Sequence, residues 1–436
     1  MGMYTSFLTR AAGDKSTWAR RGAGCVATGC SARGSARGTT RGAALALALA
    51  TAAAGAAGAD EFRFAYEKGD KYRVVSTVDE DVYIDRRYSH SAEIVNRIAF
   101  EAADGRADGA TLLRGDFSTS VRYAGGFSYV ADRIYRSEYW QLPSGRYEIG
   151  PEYYMPTVRH VPSFPARDLK PGDTWNAPGE ERHDFRDDFG IADPYVIPID
   201  VRYTYEGPGN LEGKPVRLVR AAYTVFVQPP RPRSWTVAYP VQIAGYSDQL
   251  IYWDPGRGGI AAYEERFKFV FDLSDGRSVE YRGVASSDVV EATRMDRPGL
   301  EREMRDAVSG LDDVSVQSDE RGVTISIENI QFEPDSARLL PSEAAKIERI
   351  AAILAEVQGR DILVSGHTAL AGTAAARQEL STERARTVAE ALIRLGARAA
   401  EAITVIGYGA DKPVADNATV AGMARNRRVE ITILEN

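Results

Sequence analysis

Cysteine is almost missing from this chain: the only two, Cys25 and Cys30, both fall within the first 59 residues. Whatever folds after that segment therefore contains no disulfide and no thiol nucleophile. No cysteine follows the apolar run Ala43 to Ala57, which excludes the usual attachment point of a lipoprotein. Long hydrophobic runs are lacking too, since that run is shorter than the roughly 20 apolar residues a membrane-spanning helix needs. Acidic residues are nearly absent from residues 1–59, where Asp14 stands alone against seven Lys and Arg. The whole chain has a formal charge of −7, so the remainder without that segment carries −13, an unsuitable charge for binding nucleic acid. Also missing are a Ser-His-Asp order and a glycine loop that would cradle phosphate, so nothing supports catalysis of those kinds.

What is present begins with an export leader. Arg33, Arg37 and Arg41 precede the apolar run, which ends in Ala57-Gly58-Ala59, small residues that signal peptidase accepts. Cleavage before Asp60 is expected; a retained anchor is the alternative, and the length ahead of the run leaves a start codon further downstream open. The rest is ordinary globular sequence. The 436 residues are 44% hydrophobic and 26% charged, enough for two or three domains.

From Phe62 to Ala292 short segments rich in Val, Ile, Tyr and Phe alternate with Gly, Pro, Asp and Asn, the signature of an all-β, sandwich-like region. Tyr72, Val74, Ser76, Val78, Val82 and Ile84 repeat with the period of a half-buried strand. Asp275-Gly276, between Glu265–Asp272 and Ser278–Ala285, predicts a hairpin. The Pro-rich stretch from Tyr153 to Pro198 suggests two β domains, 60–195 and 196–293, although one large sandwich with a long loop gives the same pattern. Asp296 and Pro298 then open a helical linker over 294–313, with Leu300, Met304, Val308 and Leu311 on one face.

Beyond it, strands at Val323–Ile330, Asp361–Gly366, Ala402–Gly407 and Val429–Leu434 alternate with helices at Pro341–Val357, Thr382–Leu395 and Val420–Asn426. Crossover helices of this kind predict an α/β sandwich with a mixed sheet over 314–436. Its motifs are Asn329 to Ala337, Gly366-His367-Thr368, Leu380-Ser-Thr-Glu-Arg384-Ala, Gly407-Tyr-Gly409, Pro413, Asn417 and Asn426-Arg-Arg-Val-Glu-Ile431. Together, in this order, they resemble the C-terminal peptidoglycan-binding domain of the OmpA family. The resemblance covers no more than a third of the chain after the leader and says nothing of residues 60–293.

What it implies is a pocket that grips the diaminopimelate of the peptidoglycan stem peptide. The family's arginine, matched by Arg384, pairs with the ligand carboxylate, and Thr368, Phe332 and Arg427 carry over as ligand-binding positions. An aspartate that accepts from the ammonium belongs where Ala369 stands, and Arg377 replaces an asparagine before the Leu-Ser pair. A methyl group accepts no hydrogen bond, so canonical binding is expected to be weakened or lost, with full peptidoglycan tethering as the alternative. Glu333 or Asp335 would be substitute acids, though Asp335 and Ser336 also suit a helix cap. His367 is expected to fix a loop, and one of Arg427 and Arg428 to brace loops through backbone carbonyls. In the β region His183, Asp184, Asp187 and Asp188 have metal-ligand chemistry but no trustworthy spacing, and read as an acidic loop. The aromatics at Tyr135 to Trp140 and Tyr153-Tyr154 suit either a glycan groove or the β core.

These observations point to a non-enzymatic protein of the periplasm, associated with the outer membrane, with no cofactor and no metal, whose partners are peptidoglycan and an unknown envelope component met by the β domains. An integral outer-membrane β-barrel is the alternative of another class, and an enzyme acting on wall glycans a third.

Overall fold

The computed structural model describes residues 59–435 except 124–125, 186–190, 192–193, 233–236, 292–294, 333–338 and 358, with only the backbone at 132, 290 and 291. The expected leader, with both cysteines, therefore lies outside the described residues apart from Ala59. No described helix is long and apolar enough to cross a membrane.

Twelve strands build the N-terminal region: β1 (Lys71–Ile84), β2 (Arg87–Gly105), β3 (Thr111–Tyr123), β4 (Tyr129–Gln141), β5 (Tyr147–Ile149), β6 (Val158–Arg159), β7 (Thr174–His183), β8 (Tyr195–Leu211), β9 (Lys214–Val227), β10 (Pro240–Asp254), β11 (Gly259–Leu273) and β12 (Ser278–Glu291). Each pairs antiparallel with its sequence neighbour except at β5–β6, and β1 also pairs with β12 from Tyr72↔Glu291 to Ile84↔Val279. The division expected at 195/196 falls one residue into β8, which is hydrogen-bonded to β7 from Thr174↔Thr204 to His183↔Tyr195. One continuous core draws on both halves, from Phe62, Val78 and Ile94 to Tyr203, Trp253 and Phe271. Within 153–198, Val158, Val161 and Phe164 are buried in this core, and Pro178 and Pro198 stand in β7 and β8, so the prolines interrupt strands that share one core. The hairpins follow local chemistry: Asp85 and Arg86 take φ of 51° and 65° between β1 and β2, and Gly276 takes 85° in the Asp-Gly turn.

The inward row of β1 runs Tyr72, Val74, Ser76, Val78, Glu80, Val82, all buried. Tyr72 and Val74 join an apolar cluster with Ile98, Phe100 and Phe117, while Val78 and Val82 join the main core. Between the two lie Ser76, paired with Asn96 and Ser287 across the ladders, and the Tyr263 hydroxyl, 3.0 Å from Ser76 Oγ. The expected aromatic patches divide between the core, which takes Tyr139 and Tyr154, and surface stacking, as in Arg106 over Trp140 at 5.1 Å. Outward positions carry ion pairs, Arg220–Asp248 and Lys268–Glu280 among them, where a membrane barrel would need an apolar band. The barrel alternative is therefore disfavoured.

Glu80 points into this interior at 3% exposure, and burial, with a smaller push from Asp81, raises its pKa from 4.5 to about 8. The native state thus holds a proton that the unfolded chain has released, so this contribution is complete below pH 4.5 and is lost as pH rises through about 8. Denaturant titrations are expected to show stability falling across that window with a slope of up to about 1.4 kcal/mol per pH unit. Glu80→Gln should flatten it; an unchanged slope would show that another group titrates.

The C-terminal domain opens with helix α1 (Arg297–Ala307), capped by Asp296, whose side chain accepts from Gly299 N. Strands β13 (Val314–Asp319), β14 (Gly322–Glu328), β15 (Ile362–Gly366), β16 (Ile403–Gly407) and β17 (Arg428–Leu434) form a mixed sheet in the order β13-β14-β17-β15-β16, with β15 and β16 parallel. Helices α2 (Pro341–Glu356) and α3 (Ala374–Arg394) cover it through Ile347, Ile350, Leu354, Val388 and Leu392, and α4 (Val420–Asn426) precedes the last strand. Its free edge is taken up: β16 pairs in parallel with β4 at Thr404↔Tyr129 and Val405↔Val130. Val95 and Arg97 lie on the outward row of β2, yet both are buried, with 0% and 3% exposure, as is Ser120 on β3. Arg97 meets Asp361 of the C-terminal domain there, Nε to Oδ2 at 3.3 Å.

Candidate functional site

The parallel strands β15 and β16 end side by side in glycine, and both glycines are dictated by helix α3. A Cβ on Gly366 would lie 2.0 Å from the Ser381 carbonyl oxygen, and one on Gly407 would lie 2.2 Å from Thr382 Oγ1. Only bare backbone lets the helix pass this close to the strand ends. Ser381, fully buried, then accepts from Gly409 N at 2.9 Å, and Gln378 Nε2 donates to Gly407 O at 2.7 Å. These two pins were not foreseen from the sequence, although Ser381 belongs to the Leu-Ser motif.

The loops leaving the strands are tied to each other and to α4. His367 N donates to Arg428 O at 3.0 Å, Thr368 N to Gly409 O at 2.7 Å, and Leu370 N to Asn417 Oδ1 at 3.0 Å. Asn426, completely buried, donates to Asn417 Oδ1 and accepts from the amides of Val414 and Ala415. The motif residues Asn417 and Asn426 are thus the crosslinks of the loop cluster.

A buried polar group lies beneath. His367 stacks on Tyr408 with ring centres 5.4 Å apart and its Nε2 is 3.4 Å from Glu430 Oε2. Arg428 Nε donates to Glu430 Oε1 at 2.7 Å and Nη2 to Lys412 O at 3.0 Å. Burial opposes the charge on Glu430, but His367 and Arg428 outweigh it and hold the carboxyl at about 2. Burial in turn lowers His367, so at neutral pH the ring is uncharged and Arg428 is the standing counter-charge. His367 therefore occupies a loop-fixing position, and Arg428 braces the loops.

Arg384, on α3, has its guanidinium 4.8 Å from the centre of the Phe332 ring. Its Nε is buried without a partner, and burial followed by repulsion from Arg427 lowers its pKa. Arg427 Nη2 reaches Asn329 Oδ1 at 3.5 Å. The Thr368 hydroxyl is buried without a partner, Ala369 is 6% exposed, and its carbonyl accepts from Ala371 N at 2.9 Å. Arg377 donates from Nη1 to Gly372 O at 2.6 Å, on the loop that carries Ala369. Phe332, Arg384 and Arg427 are thus brought together. Glu333 and Asp335, the candidate substitute acids, and Ser336 lie outside the described residues. Among the described residues no carboxylate acts on Arg384.

Residues 331–427 match the OmpA family. The C-terminal domain belongs to that family. Outer membrane porin F of Pseudomonas fluorescens is 38% identical over 105 residues, covering 24% of this chain and 32% of the porin. The peptidoglycan-binding protein ArfA of Mycobacterium tuberculosis H37Rv is 36% identical over 104 residues, again 24% of this chain and 32% of the relative. The chain thus spans about a third of the length of these relatives. The cell wall anchor of the T6SS from Pseudomonas aeruginosa is 31% identical, with a TM-score of 0.29, over 32% of this chain and all of that one. In the β region, His183 is buried against Glu181 Oε2 at 2.9 Å, Asp187 and Asp188 lie outside the described residues, and the described residues include no cluster of three metal-capable side chains.

Proposed function

We propose that this protein is an exported, non-enzymatic component of the cell envelope, in the periplasm and associated with the outer membrane, whose OmpA-family domain lies against peptidoglycan with a weakened grip on diaminopimelate. The arrangement that carries this reading is a half-pocket: Arg384 is held over Phe332 with no counter-charge among the described residues, and at the position where the resemblance calls for an ammonium acceptor the chain has the buried methyl of Ala369. Guanidinium is suited to carboxylate by its planar fork, so the anionic half of a zwitterion keeps its partner while the cationic half has none. The similarity to ArfA, named for peptidoglycan binding, favours the alternative of a full-strength tether.

Co-sedimentation of the full chain with purified peptidoglycan separates the two. Weak pelleting of the natural chain, lost in Arg384→Gln, is expected. Pelleting that Arg384→Gln leaves untouched would overturn the assignment of the pocket. Saturable binding at sub-micromolar concentration would overturn the weakened grip in favour of the tether.

A further inference from the structure

The β region carries an open cavity of about 820 Å³, within the size range of small-molecule sites and lined by residues of β1, β2, β3, β10, β11 and β12 and the start of the β3–β4 connection. Through it the cross-strand register sets Glu93, Asp79, Val284 and Arg266 side by side, one each from β2, β1, β12 and β11. Like charges directly opposite each other repel, so Asp79 beside Glu93 is an unfavourable neighbour pair in the free protein. The other charged groups around them are engaged: Glu93 by Arg122 and the Tyr129 hydroxyl, Asp81 by Ser91 Oγ at 2.6 Å, and Arg282 over the Tyr83 ring at 4.0 Å. Asp79 and Arg266 are both exposed and have no hydrogen bond or ion pair among the described residues. Desolvation, followed by repulsion from Glu93, raises the pKa of Asp79, which an added cation would relieve. Between the two charges stands Val284, 49% exposed, and Tyr246, 44% exposed, adds an aromatic surface to the same cavity. Two interstrand spacings put the Cα atoms of Asp79 and Arg266 about 10 Å apart.

We propose that this cavity binds elongated zwitterions, with an ammonium on Asp79, a carboxylate on Arg266 and an aliphatic spacer over Val284. A peptide ending in a basic diamino acid offers these groups in its side chain and its terminal carboxylate. The guanidinium fork matches the carboxylate with two hydrogen bonds, the ammonium separates the Asp79 and Glu93 charges, and the spacer covers an apolar side chain that otherwise faces water. A ligand with one charged end leaves either Asp79 or Arg266 unanswered, so recognition requires both ends.

The test is isothermal titration of the full chain with 6-aminohexanoate, an ammonium and a carboxylate joined by a methylene chain. Binding in the millimolar range is expected, at least about fivefold tighter than that of hexanoate or hexylamine, each of which keeps a single end. Asp79→Asn and Arg266→Gln should each lower the affinity to that of the single-ended compounds, with circular dichroism checking that the strands are retained. Arg384→Gln, in the other domain, should change nothing. Hexanoate or hexylamine binding as tightly as 6-aminohexanoate would overturn the two-ended recognition. Binding that survives in both Asp79→Asn and Arg266→Gln, or that is lost in Arg384→Gln, would overturn the location, and no heat at about 20 mM ligand would overturn the site itself.

Discussion

Replacing Asp361 with alanine should destabilise the chain by about 3–5 kcal/mol, the cost of stranding a buried cation. Arg97 sits on the outward row of β2 at 3% exposure because the C-terminal domain covers it, and Asp361, at the foot of β15, supplies its ion pair at 3.3 Å. Burial lowers the pKa of Arg97 and Asp361 works against that, so the carboxylate is the main charge that compensates the guanidinium inside the interface. Ser120 Oγ, 3.1 Å from Nη1, accepts a hydrogen bond from Arg97 but brings no charge. Arg73, the second partner of Asp361 at 3.4 Å, has a side chain 23% exposed and turns to water when the acid is removed, so most of the loss falls on Arg97. Chemical denaturation of Asp361→Ala measures the effect. The paired substitution Arg97→Met with Asp361→Leu should recover most of it, because apolar side chains of similar size remove both desolvation costs at once. A loss below about 1 kcal/mol in the single variant would mean that water reaches Arg97 and the interface is not dry.

Ala369→Asp should raise affinity for meso-diaminopimelate by roughly one to four decades, the span of about 2–5 kcal/mol for supplying the missing partner of a charged group. The new carboxylate would stand on a loop already pinned by the Leu370 amide to Asn417 and by Thr368 to Gly409, so little ordering remains to oppose binding. Titration of the full chain with diaminopimelate reads this directly, and Arg384→Gln in the same background should remove the gain. An unchanged affinity in Ala369→Asp would mean that the introduced acid pairs within the protein, with Arg377 or Arg384, and that the loop geometry is not that of a zwitterion clamp.

Much of the scaffold was legible in residue order because its causes are local. The alternation from Tyr72 to Val82 repeats every two residues and becomes the buried row of β1; Asp275-Gly276 becomes the turn before β12; Asp296 caps α1. The start of α3 was missed by eight residues, since the expected helix began at Thr382 and the actual one begins at Ala374, capped by Thr373 Oγ1 accepting from Ala376 N. A threonine before three alanines is a local signal that the Leu-Ser motif overshadowed. The prolines between 153 and 198 suggested a domain boundary because they interrupt strands, yet whether an interruption divides or merely bends a domain depends on which strands pair across it, here β7 with β8 and β1 with β12.

The site divides the same way. Residue identity alone determined that Arg384 has a cation to offer and that Ala369 has no acid, because a side chain's charge and hydrogen-bonding capacity belong to its chemistry and need no fold. Tertiary structure alone decided that Phe332 covers the guanidinium, that Arg427 is its only charged influence among the described residues, and that Arg97 and Asp361, distant along the chain, meet in a buried pair. Those facts depend on which faces of distant elements come together, and burial, which sets the strength of every charge interaction, exists only once they have.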